Sequence, residues 1–348
     1  RLILLQHYFR INDRDRALTT ARQAAAALPD NTEILDALGR AQAASGDREQ
    51  AIVTFQKLTS LQPESTLGPM RSAGVFLAGK QYPQAAQSFR RALELAPDLF
   101  AAQQGLVETL LADRRKGDAL AYAKTLQQRP TNPVTGYLLE ARVYVHQASY
   151  DKALDTYRAA LVRFPTTDVA TRVHATLMAL KQPAEAEKFA SQWLQQHPKD
   201  VGFIAYAGDS AMAREDFGIA EQNFRRLLQL HPENPRALNN VALMMLKQGK
   251  PGALDYAERA NKLLDNSPEL MDTLTLALAA EKRLDEAVAL QQRALALAPA
   301  DNQLRLTLAK LYLQSGKKER ARSELETLAK VGAAFTQQAE VDQLMKRL

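Results

Sequence analysis

The chain has 348 residues, of which 46% are hydrophobic and 24% charged, and its formal net charge is +6. Cysteine is absent, which excludes disulfides, thiolate metal sites and cysteine nucleophiles. The charge is a small excess of 45 basic over 39 acidic residues, which argues against nucleic acid as a partner, and no apolar run approaches the ~20 residues that span a bilayer.

Alanine recurs along the chain with a spacing of 33 or 34 residues. These periodic alanines are Ala17, Ala51, Ala85, Ala119, Ala153, Ala186, Ala220, Ala253, Ala287 and Ala321. A spacing this regular indicates one structural unit copied ten times. Strong helix formers such as Ala, Leu and Gln dominate the composition, so the unit is predicted to be helical.

Apolar residues stand four and seven positions after most periodic alanines, as Phe55 and Leu58 do after Ala51. These offsets place three side chains on one stripe of a helix. Proline stands twelve positions after the alanine in seven repeats, at Pro29, Pro63, Pro97, Pro165, Pro198, Pro232 and Pro299. Because proline lacks a backbone N–H, each is predicted to end that helix, and Asn31 and Asp301 are predicted to cap the next one.

A small residue marks the preceding helix of the unit at Gly39 and Gly208, and Gly46, Gly249 and Gly316 mark the turn between the two helices. In this order the positions resemble the tetratricopeptide repeat, a 34-residue helix pair, over residues 1–332. The resemblance implies an all-α fold, a right-handed α-solenoid of about ten helix pairs. Residues 333–348 are predicted to form a C-terminal capping helix, with Val341 and Leu344 on its apolar side.

Catalytic and cofactor-binding patterns are not apparent in the sequence. His197 and His231 lie one repeat apart, and a metal ion between them is an alternative to the favoured interaction of each with a helix C-terminus. Gly74 to Lys80 has the spacing of a phosphate-binding loop, but Gln81 replaces the Ser or Thr that binds magnesium. The sequence therefore predicts no enzyme activity, no cofactor and no metal.

The first helix of each pair is predicted to line the concave side of the solenoid, where such proteins bind a protein or peptide. The candidate partner-binding residues on this side are Asp36, Arg40, Met70, Gln104, Glu108, Arg142, His146, Met178, Asp209, Met212, Asn239, Asn240 and Asp272. The methionines suit adaptable apolar contacts, although core packing explains them equally well. The amides of the two asparagines could bind the extended backbone of a partner or stabilise the start of a helix.

The C-terminal third contains the segments Asn239-Asn240-Val241-Ala242, Met271-Asp272-Thr273-Leu274 and Leu311-Tyr312-Leu313-Gln314-Ser315-Gly316. Together they resemble the end of the long tetratricopeptide-repeat lipoproteins associated with bacterial exosortase (PEP-CTERM) and exopolysaccharide gene clusters. This resemblance implies a larger native protein in the periplasm, attached to a membrane by a lipid upstream of Arg1. Further repeats are expected upstream of Leu2. A cytoplasmic protein is the alternative.

The sequence thus predicts a noncatalytic interaction scaffold that binds partner proteins in exopolysaccharide assembly or export, or in linked PEP-CTERM protein sorting. Two alternatives stay open at this stage. One is a periplasmic spacer that binds polysaccharide directly, and the other is an accessory segment of a larger enzyme.

Overall fold

The computed structural model describes residues 2–348, and this part of the chain forms 21 α-helices and no strand. Two compact units divide it: the N-terminal unit ends at Glu187, and the C-terminal unit covers Lys188–Leu348. Within each unit the helices follow one another in pairs joined by short turns. We call the members of each pair the first helix and the second helix. The all-α prediction is confirmed.

In the N-terminal unit each helix from α1 to α10 packs against the next along the chain. The first helices are α1 (Leu2–Arg10), α3 (Thr32–Ala44), α5 (Leu67–Ala78), α7 (Phe100–Ala112), α9 (Val134–His146) and α11 (Thr167–Ala179). The second helices are α2 (Arg14–Ala27), α4 (Arg48–Leu61), α6 (Tyr82–Leu95), α8 (Lys116–Gln127) and α10 (Tyr150–Arg163). The next helix, α12 (Pro183–Gln196), contains the division between the units.

The C-terminal unit repeats this order, and each helix from α13 to α21 packs against the next. Its first helices are α13 (Val201–Ala213), α15 (Pro235–Lys247), α17 (Pro268–Ala280) and α19 (Asn302–Gln314). Its second helices are α14 (Phe217–Leu230), α16 (Ala253–Leu263), α18 (Leu284–Leu297) and α20 (Lys318–Ala329). A 3₁₀ turn (Gly332–Ala334) and α21 (Gln338–Met345) close the chain.

The periodic alanines lie on the second helices and are buried in all ten repeats, with at most 4% of their surface exposed. The residues four and seven positions later are also buried in every repeat, with at most 6% exposed. These three positions form the contact stripe that the period predicts. Gln291 is the one polar residue on the stripe, and its amide donates to Asp272 Oδ1 and to the Leu304 carbonyl.

Each of the ten turns between a first and a second helix has the same hydrogen bond, from an amide to the carbonyl five residues earlier, at 2.8–3.0 Å. Gln81 to Phe76 and Asp216 to Ala211 are examples. This bond marks the helix end known as the Schellman motif, which needs a residue with positive φ. Glycine supplies that residue in three turns, at Gly46, Gly249 and Gly316; in the other seven it is Asn12, Lys80, Arg114, Ala148, Lys181, Glu215 or Lys282.

The seven prolines predicted to stop a helix all lie two residues after the end of a second helix, as Pro63 does after α4. The predicted caps are also present, since Asn31 Oδ1 accepts from the Ile34 amide at 3.0 Å. Asp301 Oδ1 accepts from the amides of Gln303 and Leu304. Proline and the following polar residue together therefore set the border between repeats.

Two helices of the C-terminal unit, α16 and α21, differ from the regular pattern. Every other second helix starts three residues before its periodic alanine, whereas α16 starts at Ala253 itself, because Gly252 has a φ of +87°. The predicted capping helix begins only at Gln338, since Gly332 has a φ of +63° and Phe335 is extended. Val341 is nevertheless fully buried, in a cluster that includes Leu306 and Leu328. The predicted domain division at residue 332 stays a prediction.

Candidate partner-binding surface

First helices of neighbouring pairs contact one another in the N-terminal unit. These contacts join α1 to α3, α3 to α5 and α7 to α9. Their remaining exposed side chains form what we call the first-helix surface. In a helix the residues three and four positions apart share a face, so Asp36 and Arg40 project together from α3. Met70, Arg71 and Gly74 do so from α5.

Two arginines share one carboxylate on this surface. Arg71 Nε and Nη2 donate to the two oxygens of Asp36 at 2.6 and 3.2 Å, a bidentate pair across neighbouring first helices. Arg40 Nη1 lies 3.8 Å from Asp36 Oδ2. The Arg40 guanidinium also lies over the Phe9 ring of α1, 4.7 Å from its centroid. The exposed side-chain fractions are 46% for Arg40, 39% for Arg71 and 16% for Asp36.

These arginines border a cleft of about 390 Å³ between α1, α3 and α5, which we call the Arg40 cleft. Apolar groups form most of its wall, including Ala43, Ala44, Phe55, Val75 and Ala78, together with Phe9, Met70 and Gly74. A second cleft of about 460 Å³ adjoins it and shares Phe9 and Arg40. A Cβ atom at Gly74 would meet no atom within 4 Å, so the helix backbone faces open space there. The Arg40 cleft therefore combines an apolar wall with an excess of positive charge.

A second charged group lies farther along the first-helix surface of the same unit. Gln104 Nε2 donates to Glu108 Oε1 at 2.9 Å along α7, and Arg142 of α9 donates to the same oxygen. The exposed side-chain fractions of Arg142 and Glu108 are 46% and 37%. Asp36 to Arg71 and Glu108 to Arg142 are separations of 35 and 34 residues. Opposite charges about one repeat apart in the sequence therefore indicate such pairs. A search for this spacing would have identified Arg71 as a partner of Asp36.

The remaining predicted residues of the N-terminal unit have different surroundings. His146 is exposed at the end of α9, and Met178 is half-buried. Met70 is also half-buried, packed against the cluster that contains Leu106 and Leu110, while it lines the Arg40 cleft as well. Core packing thus applies to Met70, and its contact with a partner stays a prediction.

The five predicted residues of the C-terminal unit are less accessible on the whole. The Asp209 side chain is 44% exposed and lies 3.6 Å from Arg236, whereas Met212 packs against the cluster around Phe224. Asn239 and Asn240 are only 2% and 5% exposed, and Asn239 Oδ1 has no hydrogen-bond partner. A partner cannot reach these two amides without a movement of α15.

Asp272, the last predicted residue, lies on α17 between helices rather than on an open surface. Burial raises the pKa of its carboxyl, and hydrogen bonds from Gln291 and Thr307 offset this only in part. Gln291 is fully buried, and Gln291 Oε1 has no hydrogen-bond partner. Asp272 therefore acts in helix packing in this structure.

A further polar cluster lies in the C-terminal unit, and the sequence reasoning did not single it out. The carboxylate of Glu221, on α14, accepts from Arg225 Nε at 2.7 Å, Lys250 Nζ at 2.8 Å and Gln248 Nε2 at 2.9 Å. Its side chain is 8% exposed. Burial by itself raises the pKa of Glu221, but the three hydrogen bonds outweigh burial and the pKa is lowered. The cluster joins α14 to the end of α15 and the turn that follows.

Other predicted features lie where the repeat pattern put them. Gly74 to Ala78 is part of α5 rather than a phosphate-binding loop. The His197 ring stacks on Trp193 with centroids 3.9 Å apart, and His231 is exposed at the end of α14. Among residues 2–348 no group of three or more His, Asp or Glu side chains has the geometry to hold a metal ion. No helix in that range has the length and apolar character to cross a bilayer.

Two curated proteins share this sequence pattern. Cellulose synthase operon protein C of Pseudomonas fluorescens (strain SBW25) is 26% identical over 295 residues, 79% of this chain and 22% of that protein. Cellulose synthase 1 operon protein C of Komagataeibacter xylinus is 24% identical over 307 residues, 72% of this chain and 22% of that protein. The chain thus spans about a fifth of the length of each relative.

Solved structures with related helix arrangements have low sequence identity to this chain. The APC/C hetero-tetramer Cut9–Hcn1 matches with a TM-score of 0.46 and 13% identity, over 99% of this chain and 74% of that chain. The structure of pilF from Pseudomonas aeruginosa matches with a TM-score of 0.45 and 18% identity, over 60% of this chain and 96% of that chain.

Sequence profiles of the tetratricopeptide repeat match most of the chain. One profile matches residues 4–67, 70–133 and 207–269, and a second matches residues 278–348. These ranges contain the periodic alanines of eight repeats, from Ala17 to Ala321, and the buried stripes that follow them. The chain belongs to the tetratricopeptide repeat family.

Proposed function

We propose that this chain is a noncatalytic scaffold that binds a partner protein through the first-helix surface of its N-terminal unit. The observation that supports this most is the Arg40 cleft, an apolar cavity beside two half-exposed arginines that share a single carboxylate. Tetratricopeptide repeats generally bind proteins along the surface that their first helices form. The proposal assigns no catalytic role to any residue.

The chemistry of the cleft defines the partner. Arg40 and Arg71 have more N–H donors than Asp36 has acceptor sites, so a second carboxylate can join the pair with bidentate geometry. The apolar wall next to them accommodates an aliphatic or aromatic side chain. The proposed ligand is therefore a peptide segment in which an acidic group and a bulky apolar side chain are close neighbours.

The two relatives give the proposal its biological setting. Both are named as proteins of a cellulose synthase operon, so we place the partner among the proteins that assemble or export an exopolysaccharide. A periplasmic location, a lipid anchor upstream of Arg1 and the PEP-CTERM relationship stay predictions. The alternative of an accessory segment of a larger enzyme predicts instead that the partner is a catalytic domain of the same polypeptide.

Site-specific photo-crosslinking tests this proposal. A photoreactive residue at position 74 would point from α5 into open space beside the Arg40 cleft, and Gly117, on the second helix α8, is the matched control because its Cβ also meets no atom within 4 Å. We expect a protein adduct in the bacterial envelope from position 74 and none from position 117. Equal adducts from both positions, or none from position 74, would contradict the proposal.

Charge-removing variants then test the chemistry of the cleft. Arg40→Gln and Arg71→Gln together should weaken binding of the captured partner at least about tenfold, because each removes charged hydrogen bonds. Arg48→Gln is the control, since Arg48 is exposed on α4 outside the cleft. Binding that is unchanged in the double variant would show that the arginines do not contact the partner.

A further inference from the structure

A third groove of about 540 Å³ lies in the N-terminal unit between the second helices α4 and α6, with α5 at its base. We call it the glutamine groove because Gln56 projects into it from α4 and Gln84 and Gln87 project from α6. Its volume lies within the range of small-ligand sites. No residue that lines this groove also lines the Arg40 cleft.

Neutral amides and hydroxyls make up most of the polar lining of this groove. Among the described residues that line it none is acidic, and the single cation, Arg91, is paired with Glu94 at 2.8 Å. The groove therefore has no unpaired charge with which to hold an ionic ligand. A neutral ligand loses less hydration on entering such a site than a charged one does.

The amides of the groove are available for a ligand. Gln56, Gln84 and Gln87 are exposed, and within residues 2–348 their side chains make no hydrogen bond to protein. Each amide offers two donors and one acceptor. The Thr59 hydroxyl donates to the Phe55 carbonyl at 2.9 Å, which leaves its lone pairs as acceptors. Closely spaced donors and acceptors of this kind match the adjacent hydroxyls of a sugar, each of which both donates and accepts.

The half-buried Phe76 and the buried Pro69 supply the apolar part of the lining. A sugar ring has one face of C–H groups, which suits contact with an aromatic side chain beside hydrogen-bonding amides. A protein partner would need larger apolar anchor pockets than Phe76 and Pro69 provide. From this combination we infer that the glutamine groove binds a neutral oligosaccharide, a ligand class distinct from the protein partner of the Arg40 cleft.

Isothermal titration calorimetry of the 348-residue chain with cellohexaose, a neutral oligosaccharide, tests the inference. We expect saturable binding that the double variant Gln84→Ala, Gln87→Ala weakens about tenfold, because two neutral hydrogen bonds are lost. Alanine favours helix, so the variant should fold normally, which circular dichroism verifies. Gln50→Ala is the matched control, since Gln50 is an exposed glutamine of α4 outside the groove, and it should bind like the original chain.

Each other outcome would overturn the inference. Absence of binding, or equal binding by the double variant and the original chain, would show that the groove does not hold a neutral sugar. If an acidic hexasaccharide of uronic acids binds more tightly than cellohexaose and this binding is lost in Arg91→Gln, the ligand is acidic and the proposed neutral class is wrong. If the partner captured at position 74 loses affinity in the glutamine double variant, the groove is a protein contact. Failure of cellohexaose binding alone leaves the crosslinking result at position 74 unaffected.

Discussion

The two units place their charged residues differently although both are built from the same repeat. In the N-terminal unit Asp36, Arg40 and Arg71 pair on the first-helix surface, with side chains 16–46% exposed. In the C-terminal unit the Glu221 carboxylate is 8% exposed and is enclosed by Arg225, Gln248 and Lys250. The cations of the two clusters are similarly exposed, since the Arg225 and Lys250 side chains are 40% and 48% exposed. The difference lies in the carboxylate, because the less exposed Glu221 accepts from three residues and contributes more to helix packing. The comparison distinguishes the proposed binding role of Asp36, Arg40 and Arg71 from the packing role of Glu221.

The largest expected effect concerns glycines at close helix contacts in the two units. A Cβ at Gly136 would lie 2.4 Å from the Gln127 amide nitrogen, a backbone atom that cannot move away. A Cβ at Gly208 would lie 2.8 Å from the Phe224 ring, which can shift. Gly136→Ala should therefore reduce the free energy of unfolding by about 3 kcal/mol and Gly208→Ala by about 1 kcal/mol. Urea denaturation measures both, and equal losses would contradict the distinction.

Glu221→Ala tests the packing role in the C-terminal unit. It removes three hydrogen bonds that the carboxylate accepts from Arg225, Lys250 and Gln248, two of them from charged donors, and should cost about 2 kcal/mol in urea denaturation. Glu269→Ala, at an exposed residue of α17, is the control and should change stability by less than about 0.5 kcal/mol. A similar small change in both variants would mean that the Glu221 cluster does not hold the helices together.

The pH dependence of stability should distinguish Glu221 from Asp272. The folded-state pKa of Glu221 is lowered below 4.5, so its stabilisation is complete above pH 4.5 and is lost as the pH falls through the folded pKa. The pKa of Asp272 is raised above 3.8, so its contribution has the opposite sign: it is complete below pH 3.8 and is lost as the pH rises through the folded pKa. Glu221→Gln should flatten the loss of stability in acid, and Asp272→Asn should steepen it. Thermal unfolding followed from neutral to acidic pH measures both, and profiles identical to the original would contradict these roles.

Asp36→Ala probes the same comparison in the N-terminal unit. Asp36 is 16% exposed and accepts hydrogen bonds from Arg71 alone, whereas the 8% exposed Glu221 accepts from three residues. The loss of Asp36 should therefore cost less, under about 1 kcal/mol in urea denaturation. The variant should still change binding at the Arg40 cleft, because it releases both guanidinium groups for the partner. A stability loss as large as that of Glu221→Ala would remove the distinction between the two units.

The smallest expected effect is a gain of stability at the edge of the Arg40 cleft. Gly74→Ala adds a methyl group into open space within α5 and should stabilise the chain by about 0.5–1 kcal/mol. Gly46→Ala is the counterpart, since it also meets open space but has a φ of +87°, and it should destabilise by about 1 kcal/mol. If Gly74→Ala destabilises, position 74 is more crowded than this structure has it.

The repeat borders and the buried stripe were predictable from sequence because each depends on a local property. Proline lacks an amide hydrogen, so Pro63 marks a helix end wherever it occurs, and the period of Ala51, Phe55 and Leu58 alone defines one helix face. Turn positions were harder. Glycine marks only three turns, while residues such as Lys80 and Ala148 adopt positive φ in others, held there by the same hydrogen bond.

The candidate surface was less predictable than the fold, because exposure depends on the neighbouring repeat. Asn239 and Asp209 are both predicted residues of first helices, yet Asn239 is 2% exposed and the Asp209 side chain is 44% exposed. Helical spacing alone cannot separate these two cases. Arg71 and Asp36 are 35 residues apart, so a search for opposite charges one repeat apart could find this pair. Glu221 and Lys250 are 29 residues apart, so the Glu221 cluster could be recognised only in the structure.

The central claim is that the partner binds at the first helices of the N-terminal unit. Amide hydrogen exchange of the 348-residue chain, with and without the partner captured at position 74, tests it most directly. We predict added protection in α3 and α5, around Asp36, Arg40 and Arg71, and no change in α14 to α16 around Glu221. Protection confined to second helices, or equal protection in both units, would contradict the claim.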